Sequence, residues 1–459
     1  MTSDIKTPFV GFSYLEHQKD GIRWMIEREK EGAELCRGGI LADDMGLGKT
    51  WQTIGLLVNS PVSFSLIVAP PVLIMQWSAA LKKSAISTLI LSGGKWIGDM
   101  NAPVVICSYG AIKNKNQELA ARKWDRIILD EGQYIRNGPK TARYQSLDKL
   151  TTDRRWILSG TPVQNKNTDF KNLAMWLQCD KMLLKPKNLN VVANTIIMRR
   201  SIALLTDKMP GVPTHIAHKV SFICSEEERK FKVLVGNVED AIERQINGML
   251  ILEKYLRLQQ FISHPQIYTS AMQRKFGIDY AGTEWSHGAS KLDKFAEIIR
   301  SSTEPTLVFC NFKQEMDILG NMAKGIGYDI HFVRGGLTEK ARAAEIEASK
   351  VATKPVILFC QITAGNCGLN LQHLSRVIFY TQHWNPSVID QAMARSYRYG
   401  QTKPVTIHHI VLDSQELLNI DSMMLQTHKS KRKMVIELLS SLEFVYHPDI
   451  TICKEVINE

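Results

Sequence analysis

No two of the chain's eight cysteines form a CxxC pair; they stand at 36, 107, 179, 224, 310, 360, 367 and 453. That scatter excludes zinc-ribbon and RING patterns and reads as reduced thiols packed as small apolar groups. Long apolar runs are lacking too. The longest, FSLIVAPPVLIMQW at 64–77, has 14 residues and two prolines, too short and too interrupted to cross a hydrocarbon core about 30 Å thick. The opening MTSDIKTPFV has no basic region followed by an apolar one, so no secretory signal is expected. Low-complexity tracts and short-period repeats are absent, which excludes solenoids and disordered arrays. Acidic residues are scarce in one half only. Residues 1–200 carry 28 Lys and Arg against 18 Asp and Glu, whereas residues 201–459 carry 29 against 28. The surplus is sharpest in 101–200, with 18 basic and 8 acidic residues. A basic region confined to one part of the chain suits a polyanion such as nucleic acid, and equally suits a solvated basic face.

What is present is ordinary in amount and informative in order. At 459 residues the chain should divide into two or three domains, since single cores rarely grow past about 250–300 residues. Five short aliphatic runs, GGILA, SLIVAP, PVVICS, DRIILD and RWILSG, alternate with helical patterns between residues 38 and 178. Five more, TLVFC, DIHFV, PVILFC, RVIFY and VTIHHIVL, do so after residue 290. Buried strands alternating with helices predict parallel sheets covered on both faces. The intervening stretch has one long helical pattern and few strand runs. The expected organisation is α/β: a first lobe over 1–184, a helical insertion over 185–287, and a second lobe over 288–459 with a helical tail.

LADDMGLGKT (41–50) reads as a strand, a glycine-containing loop and a helix start. Backbone N–H groups of such a loop cradle phosphates, with Lys49 reaching the β/γ-phosphates and Thr50 ligating Mg2+. The strict GxxxxGK[ST] pattern fails at its first glycine, where Asp43 stands. Eighty residues on, ILDEGQYIRN (128–137) ends an aliphatic run with two carboxylates. In one sheet with the phosphate loop, Asp130 would hold Mg2+ through its water shell and Glu131 would orient and polarise water. LSGTPVQN (158–165) adds Ser159 and Thr161 on a turn fixed by Gly160 and Pro162, by composition an ordinary turn.

In this order and spacing, LADDMGLGKT, DEGQ and LSGTPVQN resemble motifs I, II and III of the superfamily-two helicase-like ATPases, in their SWI/SNF form. LEHQKDGIRWM (15–25) is similar to the family's Q motif, LIVAPPVLIMQW to motif Ia and VVICSYGAI to Ib. IMRRS, ERKF and LRLQQFISHP are family-like as well. TLVFCNFKQEMDIL resembles motif IV, ITAGNCGLNLQHLSRVIFYTQHWNP motif V with its extension, and DQAMARSYRYGQTKPV motif VI. The likeness runs from Gln18 to about Pro404. Asp43-Asp44 and WMIERE lean toward the lodestar and post-replication-repair branch, and the compact length is similar to the short members found in large DNA viruses.

The resemblance implies two RecA-like lobes and a motor that tracks duplex DNA on ATP with Mg2+ as cofactor. It places Gln18, Asp44, Met45, Gly46, Leu47, Gly48, Lys49, Thr50 and Gly365 at ATP, with Thr50 and Asp130 at the metal. Lys49, Asp130, Glu131 and the arginines Arg395 and Arg398 would carry hydrolysis, the latter spaced i, i+3 on one helical face and engaging phosphate as charge redistributes. ATP would lie between the lobes. Gln133, Ser159, Thr161 and Gln391 would couple hydrolysis to DNA, and Pro70, Tyr109, Thr363, Asn370 and Trp384 would touch it; a buried core Trp is the rival reading of Trp384. Gly365, Gly368 and Asn370 would let the backbone turn around phosphate. Nucleosomes or a polymerase are the implied obstacles, the protein acting as a monomeric motor or a subunit of a complex. Its expected location is the nucleus, or a viral replication site for a viral member. Departures from the family pattern are Gln133 for histidine in motif II, Ala394 and Tyr397 in motif VI, and Asn366-Cys367 in motif V. They bear on coupling, leaving open a strand-separating helicase or a DNA-binding regulator with weakened ATP coupling. Fourteen residues before the Q-motif leucine leave no room for a bromodomain, chromodomain or RING, and KSKRK (429–433) reads as a nuclear signal or a basic patch.

Overall fold

The structure, a computed structural model, describes residues 4–31, 35–163, 166–277, 284–365, 369–414 and 419–439. The chain divides into two compact units, built mainly on residues 1–205 and 206–430. Over the described residues, each unit is organised around one sheet.

The first sheet has eight strands: β1 (Arg37–Leu41), β2 (Ser65–Ala69), β3 (Thr88–Ser92), β4 (Lys95–Gly98), β5 (Val104–Ser108), β6 (Arg126–Asp130), β7 (Arg154–Leu158) and β8 (Ile197–Met198). Their order is β4-β3-β5-β2-β6-β7-β1-β8, and only the β3–β4 pair is antiparallel. The aliphatic runs are continuous because both faces are covered. Leu66, Val68, Ile127, Leu129 and Ile157 point into one apolar cluster, while Ile67, Ala69, Ile128, Trp156 and Leu158 point into the other. That is the period-two alternation of a sheet buried on both sides. Helix Glu16–Glu31 is fastened to this sheet by a buried fork, Arg126 to Glu29 at 2.6 and 2.5 Å, with the Trp156 indole N–H donating to the same carboxylate at 2.9 Å.

The second sheet has six parallel strands in the order β11-β12-β10-β13-β14-β9. They are β9 (Thr214–Val220), β10 (Thr306–Cys310), β11 (Asp329–Val333), β12 (Val356–Gln361), β13 (Arg376–Phe379) and β14 (Thr406–Leu412). Leu307, Phe309, Leu358, Cys360 and Val377 face one cluster; Val308, Cys310, Ile357, Phe359 and Ile378 face the other. All ten expected strand runs are strands. Four more were not expected: the β3–β4 hairpin, the two-residue β8 and the edge strand β9. The stretch 185–287 is shared out: helix Leu189–Ile196 packs in the first unit's core, β9 closes an edge of the second sheet, and helices Ser225–Glu243 and Gly248–Ser263 pack beside Leu412, Ile420 and Met424. Among the described residues no helix is long and apolar enough to cross a membrane.

The register sets up a site. Asp130 stands opposite Leu158, and Leu158 opposite Leu41. The turns that follow β6, β7 and β1 therefore leave the sheet side by side from its C-terminal edge, where open parallel sheets bind ligands.

Candidate functional site

The turn after β1 is built on two glycines. Gly46 and Gly48 take φ of 93° and 80°, a left-handed region that residues with a Cβ avoid. At Gly48 a Cβ would also lie 2.5 Å from Gln18 Nε2, so a side chain there would displace the Gln18 amide. Helix Lys49–Asn59 then starts without a side-chain cap. The described residues offer no acceptor to the N–H groups of Gly48, Lys49 and Thr50. Lys49 folds back along the loop, its ammonium donating to the carbonyls of Asp43 at 2.6 Å and Asp44 at 3.3 Å. Burial lowers its pKa, opposed by the charges of Glu131, Asp43, Asp44 and Asp130. One short loop thus carries N–H groups without acceptors among the described residues, a helix N-terminus and a desolvated ammonium, a set that favours an anion.

Behind the loop stands a clamp that the motif reading passed over. Asp43, in place of the first glycine, is fully buried and takes both arms of the Arg200 guanidinium at 2.9 and 2.6 Å. Gln52 donates to the same carboxylate at 2.9 Å, and Arg200 also donates to the His17 carbonyl. Asp44 is held by Arg199 at 3.3 Å and by the Ile202 N–H at 3.2 Å. Gln18 and His17 bond the Leu47 carbonyl at 3.2 and 3.0 Å, and Gln18 Oε1 accepts from the Leu15 N–H at 3.1 Å. Both ends of the Gln18 amide, expected at ATP, are therefore engaged within the chain. Leu47 is fully buried, while Asp44, Met45 and Thr50 are half-buried. The only sequence signal for the clamp is two adjacent arginines after a buried run, paralleling two adjacent aspartates in the loop.

β6 delivers the acids. Asp130 Oδ2 accepts the Trp77 indole N–H at 2.7 Å, its Oδ1 accepts the Glu131 N–H at 3.0 Å, and its main-chain carbonyl accepts the Tyr109 hydroxyl at 2.8 Å. Burial, then the neighbouring Glu131, push the Asp130 carboxyl up to about 7. Glu131 is left-handed, with φ 51° and ψ 48°, a costly conformation for a residue with a Cβ that turns its carboxylate off the strand direction. Gln133, 6% exposed, joins the acids to the next turn. Its Nε2 donates to Glu131 Oε2 at 2.7 Å, its Oε1 accepts from the Ser159 hydroxyl at 2.7 Å, and Ser159 Oγ accepts the Thr161 N–H at 3.1 Å. Four of the expected residues thus form one hydrogen-bonded chain.

Among the described residues no three His, Cys, Asp or Glu side chains are grouped to hold a metal. One carboxylate, Asp130, with the Thr50 hydroxyl suits Mg2+, which keeps most of its waters and is held by one or two carboxylates together with substrate phosphates.

In the second unit, the turn helix Pro386–Met393 carries Gln391, buried at 8% exposure. It ends before the two arginines, which corrects the expectation that they share a helical face. The Ala394 N–H still bonds the Asp390 carbonyl at 3.0 Å, but Arg395 and Ser396 bond the carbonyls of Ala392 and Met393, a tighter turn. Gln401 secures this turn, donating to the carbonyls of Gln372 at 2.9 Å and Ser396 at 3.0 Å. Both arginines are half-buried, and burial lowers Arg398 below the usual guanidinium range. Thr363, in helix Ile362–Gly365, and Asn370 are exposed. Asn366, Cys367 and Gly368 lie outside the described residues, as does Asn165. Pro70 is buried at the end of β2. Tyr109 is only 6% exposed, so its hydroxyl serves Asp130. Trp384 is half-buried, edge-on to Tyr255 at 6.0 Å against the helical cluster.

The chain is similar to known families and proteins over most of its length. The profile of the SNF2-related domain matches residues 17–267, and that of the helicase conserved C-terminal domain matches 290–400. A protein of Orgyia pseudotsugata multicapsid polyhedrosis virus, "Probable global transactivator", is 27% identical over 87% of this chain and 86% of its own. The Gallus gallus protein "DNA repair and recombination protein RAD54-like" is 26% identical over 90% of this chain and 66% of its own. The chain spans about half the length of one curated relative, a Bacillus subtilis protein of which it covers 48%, and 63% of the Drosophila mojavensis RAD54-like protein. Among solved structures, the Sulfolobus solfataricus SWI2/SNF2 ATPase core in complex with dsDNA aligns over 96% of this chain and 100% of that one, with 23% identity and a TM-score of 0.42.

Proposed function

The chain belongs to the SNF2-related family, and from that premise we propose that it hydrolyses ATP in response to duplex DNA and uses the cycle to move along the duplex without separating its strands. The observation that carries this reading is the unbroken chain Glu131–Gln133–Ser159–Thr161 beside the Lys49 cradle. A site built only to bind nucleotide has no use for a carboxylate wired to a second turn.

The chemistry follows from the geometry. The N–H groups from Gly48 to Thr50 and the Lys49 ammonium take the phosphates, releasing Lys49 from the Asp43 and Asp44 carbonyls. Asp130 and Thr50 would hold Mg2+, which when bound neutralises charge shared by the β- and γ-phosphates. With Glu131 Oε2 occupied by Gln133, the other carboxylate oxygen is left to take a proton from the attacking water. Arg395 and Arg398 are the guanidiniums assigned to the charge that develops on the γ-phosphate. Residues 101–200, with their surplus of basic side chains, supply contacts to DNA phosphates, so binding should weaken steeply with salt and discriminate little among sequences. The substitution of Gln133 for histidine leaves the coupling chain complete, which favours a working motor over a regulator that has lost coupling. The names of the viral and RAD54-like relatives fit transcription or repair as the setting, on nucleosomes or another protein–DNA complex.

The test is ATP hydrolysis with and without duplex DNA, beside Lys49→Ala and Arg398→Ala. Stimulation in the wild type, abolished in both variants, is expected. A wild type that hydrolyses ATP no faster with duplex DNA overturns the proposal, and robust ATP-dependent strand displacement replaces it with a true helicase.

A further inference from the structure

Asp130 is held from three sides, and two of its three donors come from turns that have no other role at the nucleotide. Trp77 lies in helix Ile74–Lys83, which follows β2 through the Pro70–Leu73 turn. Tyr109 opens helix Tyr109–Asn114, directly after β5. β2 pairs with β6, and β5 with β2, so these turns are the next two along the sheet edge from the acids. The Trp77 indole is 1% exposed and the Tyr109 ring 6%. Donation by Trp77 to a carboxylate that must take a cation weakens its pull on the cation, and a neutral acceptor would satisfy the indole equally well; Tyr109 donates to the neutral main-chain carbonyl. What the two bonds provide is orientation. With Oδ2 held by Trp77, Oδ1 by the Glu131 N–H, and the carbonyl by Tyr109, neither the carboxylate plane nor the strand end can rotate. Mg2+ demands near-octahedral geometry, and partners behind a metal ligand set its affinity by about tenfold to a hundredfold.

Each donor sits under an exposed surface. Met75 is 53% exposed and Gln76 is exposed on the helix that carries Trp77. The Tyr109 ring lies 5.2 Å from that of Tyr134, which is 45% exposed, and the exposed Arg143 guanidinium covers both rings at 5.8 and 5.2 Å. An arginine lying on an aromatic, with Lys113 and Lys140 also exposed nearby in sequence, is a surface for a phosphate backbone.

We propose that Trp77 and Tyr109 are positioning residues for Asp130, through which contact of nucleic acid with the two turns is read at the metal carboxylate. This rests on the ATPase reading above. The test uses Tyr109→Phe, which removes one oxygen, and Trp77→Phe, which removes the N–H donor, with Mn2+ as the probe. Mn2+ binding to the ADP-loaded protein, followed by electron paramagnetic resonance, should weaken about tenfold in each variant. The ratio of DNA-stimulated to basal hydrolysis should fall by a similar factor, with KM for ATP and DNA affinity little changed. A purely structural role would lower the thermal midpoint and leave Mn2+ affinity untouched. Tyr109→Phe with wild-type Mn2+ affinity and stimulation overturns the proposal, even if Trp77→Phe fails to fold. A wild type without DNA-stimulated hydrolysis overturns the proposed function instead, and a Mn2+ shift in that protein upholds the positioning role alone.

Discussion

Removing the Gln133 side chain should separate hydrolysis from its stimulation by DNA. The Nε2–H bond to Glu131 Oε2 is 2.7 Å long and made to a carboxylate, a class contributing about 1.5–3 kcal/mol. The Oε1 acceptor satisfies the Ser159 hydroxyl, whose residue is fully buried; leaving that donor unpaired costs about 1–3 kcal/mol. Glu131 is half-buried, so water can replace the amide there; the Ser159 donor then dominates, and Gln133→Ala should lose about 1–3 kcal/mol of stability, visible in urea unfolding, while the protein remains folded. If the bond to Glu131 acts at the transition state, its loss corresponds to about a tenfold to hundredfold fall in the DNA-stimulated rate. Basal hydrolysis, which does not need a signal from the next turn, should fall less. The informative partner is Gln133→His. Neutral imidazole also offers one donor and one acceptor, so near neutral pH it can bond Glu131 and Ser159 in the same sense. Once protonated it has two donors and no acceptor, so the Ser159 hydroxyl can only accept from it and its own proton loses its acceptor. The variant should keep stimulation above its imidazole pKa and lose it below, whereas the glutamine protein has no such titration at 133. A steady-state ATPase profile over pH 5.5–8.5, with and without duplex DNA, decides. Wild-type stimulation in Gln133→Ala would refute the coupling role; an inert wild type with an active Gln133→His would show that glutamine breaks coupling.

Other perturbations test the frame around the site. Arg200→Ala strands the buried Asp43 carboxylate, and breaking one partner of such a pair costs about 3–5 kcal/mol; calorimetry should show a thermal midpoint lower by roughly 6–20 °C, and an unchanged midpoint would refute the clamp. Gly48→Ala places a Cβ against Gln18 at a φ of 80°, so binding of labelled ADP by equilibrium dialysis should weaken at least tenfold without loss of fold; unchanged affinity would argue against the cradle. Burial, first, holds His408 and His373 down to about 4, with Arg376 adding to the effect on His408 and Lys350 on His373. At these two histidines the folded chain binds fewer protons than the unfolded one between about pH 4 and 6.5, so the stability they contribute above pH 6.5 is lost as pH falls through that window, while Asp130, raised to about 7, acts in the opposite sense. His408→Asn should flatten the slope of urea midpoint against pH there, and an unaltered slope would refute the assignment.

Ten strands were legible because a parallel sheet covered on both faces needs unbroken aliphatic runs. Of the other four, β3 meets that rule too, its Leu89, Ile90 and Leu91 buried against both clusters, and the remaining three fail it for separate reasons. β4 is an exposed edge, joined to β3 by Gly93-Gly94, both at positive φ, a Gly-Gly pair between two runs that is the cue for this hairpin. β8 is two residues long. β9, THIAHKV, is polar because it lies at an edge, its histidines pairing across to His409 at 3.2 Å and His408 at 2.9 Å. The motif VI arginines were placed on a helix by their spacing. The chain turns more tightly at Arg395 because Gln401, a polar residue with no periodic signature, secures the carbonyl of Ser396.

The site divides along the same line. Lys49, Asp130 and Glu131 could be named because each motif is contiguous, and the register of β1, β7 and β6 brings their turns together without further information. The clamp could not, because Asp43 and Arg200 lie 157 residues apart and nothing in the local pattern at either one points to the other. Read as a defective phosphate loop, Asp43 weakens the motif. Its carboxylate accepts the fork of Arg200, and Arg200 also donates to the Gln52 side chain at 2.7 Å and to the main chain of His17. Helix Glu16–Glu31, the loop and the segment after β8 are thereby fixed to one another around a single charge. Glycine at 43 would remove that charge and leave a buried guanidinium unpaired, so the residue that breaks the motif is the one this loop cannot exchange for the motif's own.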